Sequence, residues 1–383
     1  MTITLLGYPL WCESVTGELP TTLSSIGAAA VGIGCGALFN RERSRRSNQL
    51  NRMEKELNAE SLVIKLPVNK AISSTRPTAT LKQLKSKRRI VALRGNKEQF
   101  TDIMDVLCTL RRRFVQSQTL VVLVPTDGST KEEWGWDIDQ MGDSLWLADA
   151  SNIEQFLEYF RELLGNDSDN EGGVSNDKEL AWFALNFKGR SIASGLGEAP
   201  KILELMGQQL QPMELIDETD AAVVPEMPVA NEILECQKKF YNVLTSSGDK
   251  EAMEAIFTNE KMQEVNEVIE AGGRIDSWNE CLLEDARPAN MVIADQDIFI
   301  SSPTLAYSTC VEFPPNAGID GATLLASQRW ARETENDEWK LELHQTIPWA
   351  AGTRAGGTLR CDCRGCVALT SNPEKRTFGG LIG

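Results

Sequence analysis

The chain has 383 residues, 42% hydrophobic and 25% charged, the proportions of a folded protein and long enough that two domains are expected rather than one core. Its formal charge of −16 is uneven: residues 41–115 hold nineteen Lys/Arg against seven Asp/Glu, leaving that stretch at +12 and the rest at −28. Nine cysteines, six scattered and three clustered, are an odd count in a chain large enough to have cores, which excludes a disulfide scaffold and makes a reducing compartment the default.

Residues 1–18 form a short tail containing Glu13 and Glu18. Residues 19–40 then carry no charge, a length that as a helix of about 1.5 Å per residue spans a hydrocarbon core. Arg41, Arg43, Arg45 and Arg46 follow at once, where a lipid surface would hold them on the side that is not translocated. Gly32 and Gly36 lie one turn apart and would let a second helix approach closely. A soluble helix of small residues and a targeting remnant remain alternatives, although the two glutamates stand where a signal peptide carries basic residues. Residues 41–61 are expected to continue as a basic juxtamembrane helix. No aromatic residue interleaves the basic run from Arg41 to Arg94, so nucleic acid is not the expected partner.

An α/β pattern occupies residues 62–211. Strands are expected at 62–66, 89–93, 119–124 and 145–148, with helices over 97–113 and 153–164. Residues 119–124 are nearly all apolar, as in a strand buried on both faces. A hairpin over 181–195 turns at Lys188-Gly189, and a last helix runs from Pro200 to Gln209. Helix-bridged strands followed by a hairpin and a helix predict a thioredoxin-like α/β sandwich. Thiol chemistry on such a scaffold needs a cysteine where the helix leaves the core strand. That junction reads Arg94-Gly95-Asn96-Lys97, and Cys108 falls mid-helix with a core residue's spacing. A scaffold without redox cysteines is expected.

Residues 212–228 read as a linker containing Pro212, Pro225 and Pro228. Residues 229–352 begin with an amphipathic helix carrying Ile233, Leu234, Phe240, Tyr241 and Leu244. Short helices are expected at 249–257 and 262–270, then strands at 289–294, 297–301, 306–313, 322–333 and 339–347, an α+β arrangement with a curved sheet against helices. No Walker loop and no dinucleotide-binding glycine pattern occurs.

Residues 353–383 form a tail with Cys361, Cys363 and Cys366. Three close thiolates can hold zinc or an iron–sulfur centre if Cys310, His344 or Asp362 completes the set. Arg360 and Arg364 would instead lower the thiol pKa values and favour redox reactivity, and a structural role is the third reading. No other cofactor is expected.

The order of an apolar span, an Arg-rich helix, the strand Leu62-Val-Ile-Lys-Leu-Pro-Val68 and Gly189-Arg-Ser-Ile-Ala-Ser-Gly195 before a last helix resembles the low-photosystem-II-accumulation family of thylakoid proteins. The resemblance covers about residues 19–212. It implies a non-enzymatic factor assisting photosystem II assembly or maintenance, with photosystem II subunits or assembly intermediates as partners. It also implies a single-pass thylakoid location with soluble domains on the stromal side. Two features of plant members are missing, a tetratricopeptide array and a second membrane helix.

Gly273-Arg-Ile-Asp-Ser-Trp278, Leu325-Ala-Ser-Gln-Arg-Trp330 and Trp339-Lys-Leu-Glu-Leu-His344 are similar to the SnoaL-like domain of the nuclear-transport-factor-2-like superfamily. The Cys-containing tail is similar to that of chloroplast proteins with this fold. This likeness implies a cone-shaped domain with room for a small apolar ligand among Trp278, Gln328, Trp330 and Trp349. His344 is the single histidine, and with Asp276 it could move a proton as SnoaL-like cyclases do. An isomerase or hydrolase using that pair, or a thiol-redox regulator using the cysteine trio, are the alternatives to a scaffold.

Overall fold

A computed structural model of the chain describes residues 21–67, 77–136, 145–164, 180–197, 200–214, 216–217, 220–257, 291–313, 323–349, 358–362 and 365–369. Two compact units separate, Met1–Glu60 and Ser61–Gly383.

The described part of the first unit is one continuous helix, α1 (Thr21–Glu60), of 40 residues. It runs without a break through the uncharged segment and the arginine-rich one. Among the described residues no helix is long and apolar enough to cross a membrane. Glycine, alanine, serine and threonine dilute the apolar half. Arg41, Arg43, Arg45 and Arg46 are all exposed, and Arg46 pairs with Glu42 one turn earlier at 3.6 Å.

The second unit is mixed α/β, built on two larger sheets. The first has seven strands in the order β2-β1-β5-β4-β3-β6-β7. Its centre is parallel: β3 (Arg89–Gly95), β4 (Thr119–Pro125) and β5 (Leu147–Ala150). Every residue of β4 before Pro125 is buried, which is why its sequence is apolar without alternation. Antiparallel strands complete both sides. The hairpin of β6 (Ala181–Leu185) and β7 (Ser191–Leu196) joins β3, turning at Gly189, whose φ of +70° favours a residue without a Cβ. On the other side β1 (Val63–Lys65) pairs with β5, and β2 (Thr78–Thr80) with β1. A capping box at Thr80 starts the one-turn helix α2 (Leu81–Leu84).

The helical stretch expected over 97–113 is two helices, α3 (Lys97–Thr109) and α4 (Arg111–Gln116), interrupted at Leu110. Phe100, Ile103 and Leu107 bury the face of α3 that packs into the core. Helices α5 (Ile153–Leu164) and α6 (Pro200–Gln209) follow their expected positions.

The second sheet has four antiparallel strands in the order β11-β10-β9-β8: β8 (Val292–Ser302), β9 (Leu305–Phe313), β10 (Leu324–Ala331) and β11 (Lys340–Pro348). The two strands expected at 289–294 and 297–301 are one, bent by a bulge between Ala294 and Asp297. Side chains alternate between two cores. Phe299, Val311, Leu325 and Ile347 join the core of the seven-stranded layer. Ile298, Ala306, Cys310, Ala326 and Leu341 pack with α7 (Pro228–Asn242), the π-turn Val243–Ser247 and α8 (Lys250–Glu254). The four-stranded sheet is therefore filled on both sides, by α3 and α6 on one and by α7 on the other. Gly207 of α6 makes the first contact close: a Cβ there would stand 3.1 Å from Ile347 Cβ. A two-stranded hairpin of β12 (Thr358–Asp362) and β13 (Gly365–Leu369) completes the described strands.

Candidate functional site

Three places carry chemistry: the N-terminus of α3, the seam between the two sheets, and the polar interior beneath α7.

At the first, β3 delivers the chain to the N-cap Asn96, whose side chain accepts from Gln99 N–H at 3.0 Å while Gln99 Oε1 accepts from Asn96 N–H at 2.8 Å. A third group arrives from the loop after β4. Asp127 Oδ2 accepts from Lys97 N–H at 2.9 Å. Partial burial alone would raise the Asp127 pKa, but hydrogen bonds from Ser129 and the Lys97 amide hold it below the usual carboxylate range. The helix end that would stabilise a thiolate is thus occupied by the chain's own amide and carboxylate. Cys108 sits mid-helix, where burial pushes its thiol up to about 12, and burial raises that of Cys310 as well. Neither is a thiolate near neutrality.

At the seam, three successive arginines of α4 meet two aspartates at the β8 bulge, Asp295 within it and Asp297 just after it. Arg111 Nη2 bonds Asp297 Oδ1 at 2.7 Å, Arg112 Nε bonds Asp295 Oδ1 at 2.7 Å, and Arg113 pairs with Asp295 Oδ2. Gln116 Nε2 donates to the same oxygen at 2.6 Å. Arg113 and Asp295 side chains are wholly buried. Asp295 adopts a φ of +51°, the left-handed conformation that the bulge imposes and that aspartate tolerates better than most residues. Desolvation raises its pKa, but Arg113 overrides this and keeps it low. Further along, Asp105 of α3 accepts from Ser301 Oγ at 2.6 Å and Tyr307 OH at 3.1 Å. Arg111–Arg113, which belong to the basic stretch 41–115, are committed to this internal contact.

Beneath α7 lies a polar cluster on the inward parity of three strands. Tyr241 OH donates to Glu312 Oε1 at 2.5 Å. Cys310 Sγ stands 3.2 Å from the same hydroxyl; with the phenolic proton given to Glu312, the thiol is the donor there. His344 Nε2 is 3.8 Å from Glu312 Oε1, beyond hydrogen-bond length. On its other side Gln328 Nε2 lies 3.2 Å from His344 Nδ1, so Nδ1 accepts and the proton sits on Nε2. Gln328 Oε1 accepts from Gln237 at 2.8 Å and Ser308 at 2.9 Å, and Trp330 Nε1 donates to Ser308 Oγ at 2.9 Å. Burial pushes Glu312 up to about 7, against the Tyr241 hydrogen bond that lowers it. Burial pushes His344 down to about 4. Near pH 6 both are mostly neutral. The arrangement holds one carboxyl proton in an apolar enclosure of Phe240, Tyr241 and Trp330, with Gln237, Ser308, Gln328 and the Trp330 indole bonded to one another alongside.

Of the residues the sequence singled out, Gln328, Trp330 and His344 come together in this cluster. Trp349 does not. It is wholly buried on the opposite side of the sheet, in the core shared with α3 and α6. Trp339 closes the edge of the cluster's core, donating to Glu232 at 3.1 Å with the Arg332 guanidinium stacked 4.3 Å above its ring. Asp276, Trp278 and Cys363 lie outside the described residues, so the proposed His344–Asp276 pairing does too. Cys361 and Cys366 occupy facing positions of β12 and β13. Among the described residues no group of acids, cysteines and histidine could hold a metal ion. Gly36 stands on an open face of α1, where a Cβ would meet nothing within 4 Å.

Sequence reading did not find Tyr241–Glu312 or Arg113–Asp295. Glu312 had a signal: it follows Ala306, Ser308 and Cys310 at every second position, on the face that α7 covers. The seam had only three consecutive arginines, a pattern equally at home on a solvated surface.

No family model matches the chain, and no curated protein matches it. Among solved structures, a reduced 2-Cys peroxiredoxin of Plasmodium vivax aligns at 11% identity over 38% of this chain and 75% of its own, with a TM-score of 0.23. A candidate electron transfer protein from Aquifex aeolicus VF5 aligns at 12% identity over 38% of this chain and 86% of its own, also with a TM-score of 0.23. Likenesses at that score carry no weight for fold or activity.

Proposed function

We propose that this protein is a non-enzymatic factor that assists photosystem II assembly or maintenance, held at the thylakoid membrane by its N-terminal helix. Its body presents protein-binding surfaces beside membrane subunits on the stromal side. The observation that carries the non-enzymatic reading is the filled N-terminus of α3. Strands β4-β3-β6-β7, with β6 antiparallel to β3 and α6 after the hairpin, have the order of a thioredoxin-like core. On that scaffold Asn96 and Asp127 occupy the place of a reactive thiol. The buried seam of Arg113 and Asp295 further supports a stiff body, suited to holding a partner rather than closing over a substrate.

The membrane reading rests on the uncharged residues 19–40 and the exposed arginines that follow. The second domain is read as SnoaL-like from α7 lying across an antiparallel sheet. Washing thylakoids at alkaline pH tests the anchoring: a spanning helix keeps the protein in the pellet, and complete release contradicts it. Loss of the gene with photosystem II abundance unchanged contradicts the assembly role.

One observation favours a second reading, an isomerase or hydrolase working through His344. Glu312 keeps a carboxyl that titrates near neutrality beside the imidazole. His344→Ala separates the two readings, since a factor that only binds keeps photosystem II abundance whereas an enzyme loses its product.

A further inference from the structure

The hairpin of β12 and β13 brings two cysteines of the tail into direct register. Cys361 pairs with Cys366, and Asp362 with Gly365, in an antiparallel ladder. Facing residues in such a ladder have Cα atoms about 4.5–5.5 Å apart, whichever of the two pairing classes they belong to. A disulfide needs about 4.4–6.8 Å. The backbone therefore meets the distance requirement without moving. We propose that Cys361 and Cys366 form a reversible cross-strand disulfide, with Cys363 as the thiol left over.

The chain's other described cysteines offer no comparable arrangement. All four are free: Cys108 and Cys310 are buried, Cys236 is half-buried on α7, and Cys35 is exposed on α1. The flanking sequence favours reaction at the hairpin, because Arg360 precedes the first cysteine and Arg364 stands between the second and third. Adjacent guanidinium charge raises the thiolate fraction that attacks a disulfide. With glutathione disulfide as oxidant the reaction balances. One cysteine thiolate attacks and displaces a glutathione thiolate; the other displaces the second. Two Cys S–H bonds and one glutathione S–S bond are broken, one Cys361–Cys366 bond is made, and two glutathione thiols carry away the protons and electrons.

The hairpin's place gives the bond a consequence. β12 lies alongside β11 and against α6. Oxidation fixes the register of that short ladder, and reduction releases it. The pairing is independent of the assembly role proposed above and survives if that role fails.

The test uses the full-length protein in buffers of rising glutathione disulfide fraction, quenched with iodoacetamide and digested with trypsin. Cleavage after Arg360, Arg364 and Lys375 separates Cys361 and Cys363 from Cys366, so a bond to Cys366 joins two peptides and fragmentation identifies its partner. The expected result is a joined pair linked through Cys361, with Cys363 alkylated. Cys363→Ser keeps the link at the same buffer composition, and Cys361→Ser lowers its yield at least tenfold. A link that runs through Cys363, three thiols that stay alkylated at every composition, or stoichiometric zinc that blocks oxidation each overturns the proposal.

Discussion

Arg113 and Asp295 form an ion pair with no solvent exposure on either side chain, joining α4 of one layer to the bulged strand β8 of the other. Removing one partner leaves the other charged and buried, which costs far more than the pair contributes. Asp295→Ala is expected to lower unfolding free energy by about 3–5 kcal/mol in urea titrations. Adding Arg113→Met to it should recover part of the loss. A loss within about 0.5 kcal/mol for the single variant would mean the seam is hydrated rather than closed.

Glu312 and His344 give opposite pH dependences. The Glu312 pKa is raised to about 7, so its contribution is full below about pH 4.5 and is lost as pH rises through 7. The His344 pKa is lowered to about 4, so its contribution is full above about 6.5 and is lost as pH falls toward 4. The two nearly cancel between. Glu312→Gln removes one arm: relative to wild type its stability should climb by about 3 kcal/mol from pH 4.5 to 7. His344→Gln should show the reverse trend. Parallel pH curves for wild type and Glu312→Gln would show that the carboxyl titrates normally.

Gly207 of α6 lies close against Ile347 of the four-stranded sheet. A larger residue forces β11 outward, so Gly207→Val should cost about 1–3 kcal/mol through overpacking. Thermal unfolding reads this directly, and an unchanged midpoint would place slack at that contact.

Cys108 and Cys310 should resist iodoacetamide in the native protein at pH 8 and react in urea, since burial holds both thiols protonated. Rapid native labelling of either would argue for an accessible thiol on the scaffold.

Much of this architecture can be read in the residues. The unbroken apolar run 119–124 marks a central strand, and the Phe100, Ile103, Leu107 spacing marks the buried face of α3. Strands β9, β10 and β11 fall within two residues of the expected bounds. What escaped is set by tertiary contact. Asp295-Gln296 reads as a break between two strands, yet one strand runs on through a bulge whose Asp295 is paired with Arg113 of another layer. Trp330 and Trp349 look alike in sequence but face opposite cores, a choice that needs the register with β9 and β11. The helical break at Leu110 has neither glycine nor proline to announce it. For the candidate site, His344, Gln328 and Trp330 were visible as polar or aromatic residues on strands. Their partners Tyr241 and Glu312 emerge only once α7 is laid across the sheet.

Photosystem II core abundance in a strain whose single copy lacks residues 19–40 is the decisive test of the proposed tether, a helix holding a non-catalytic body at the photosynthetic membrane. The truncated protein is expected to fold, leave the thylakoid fraction and fail to sustain photosystem II. Wild-type photosystem II levels with the truncated protein in the soluble fraction would contradict it.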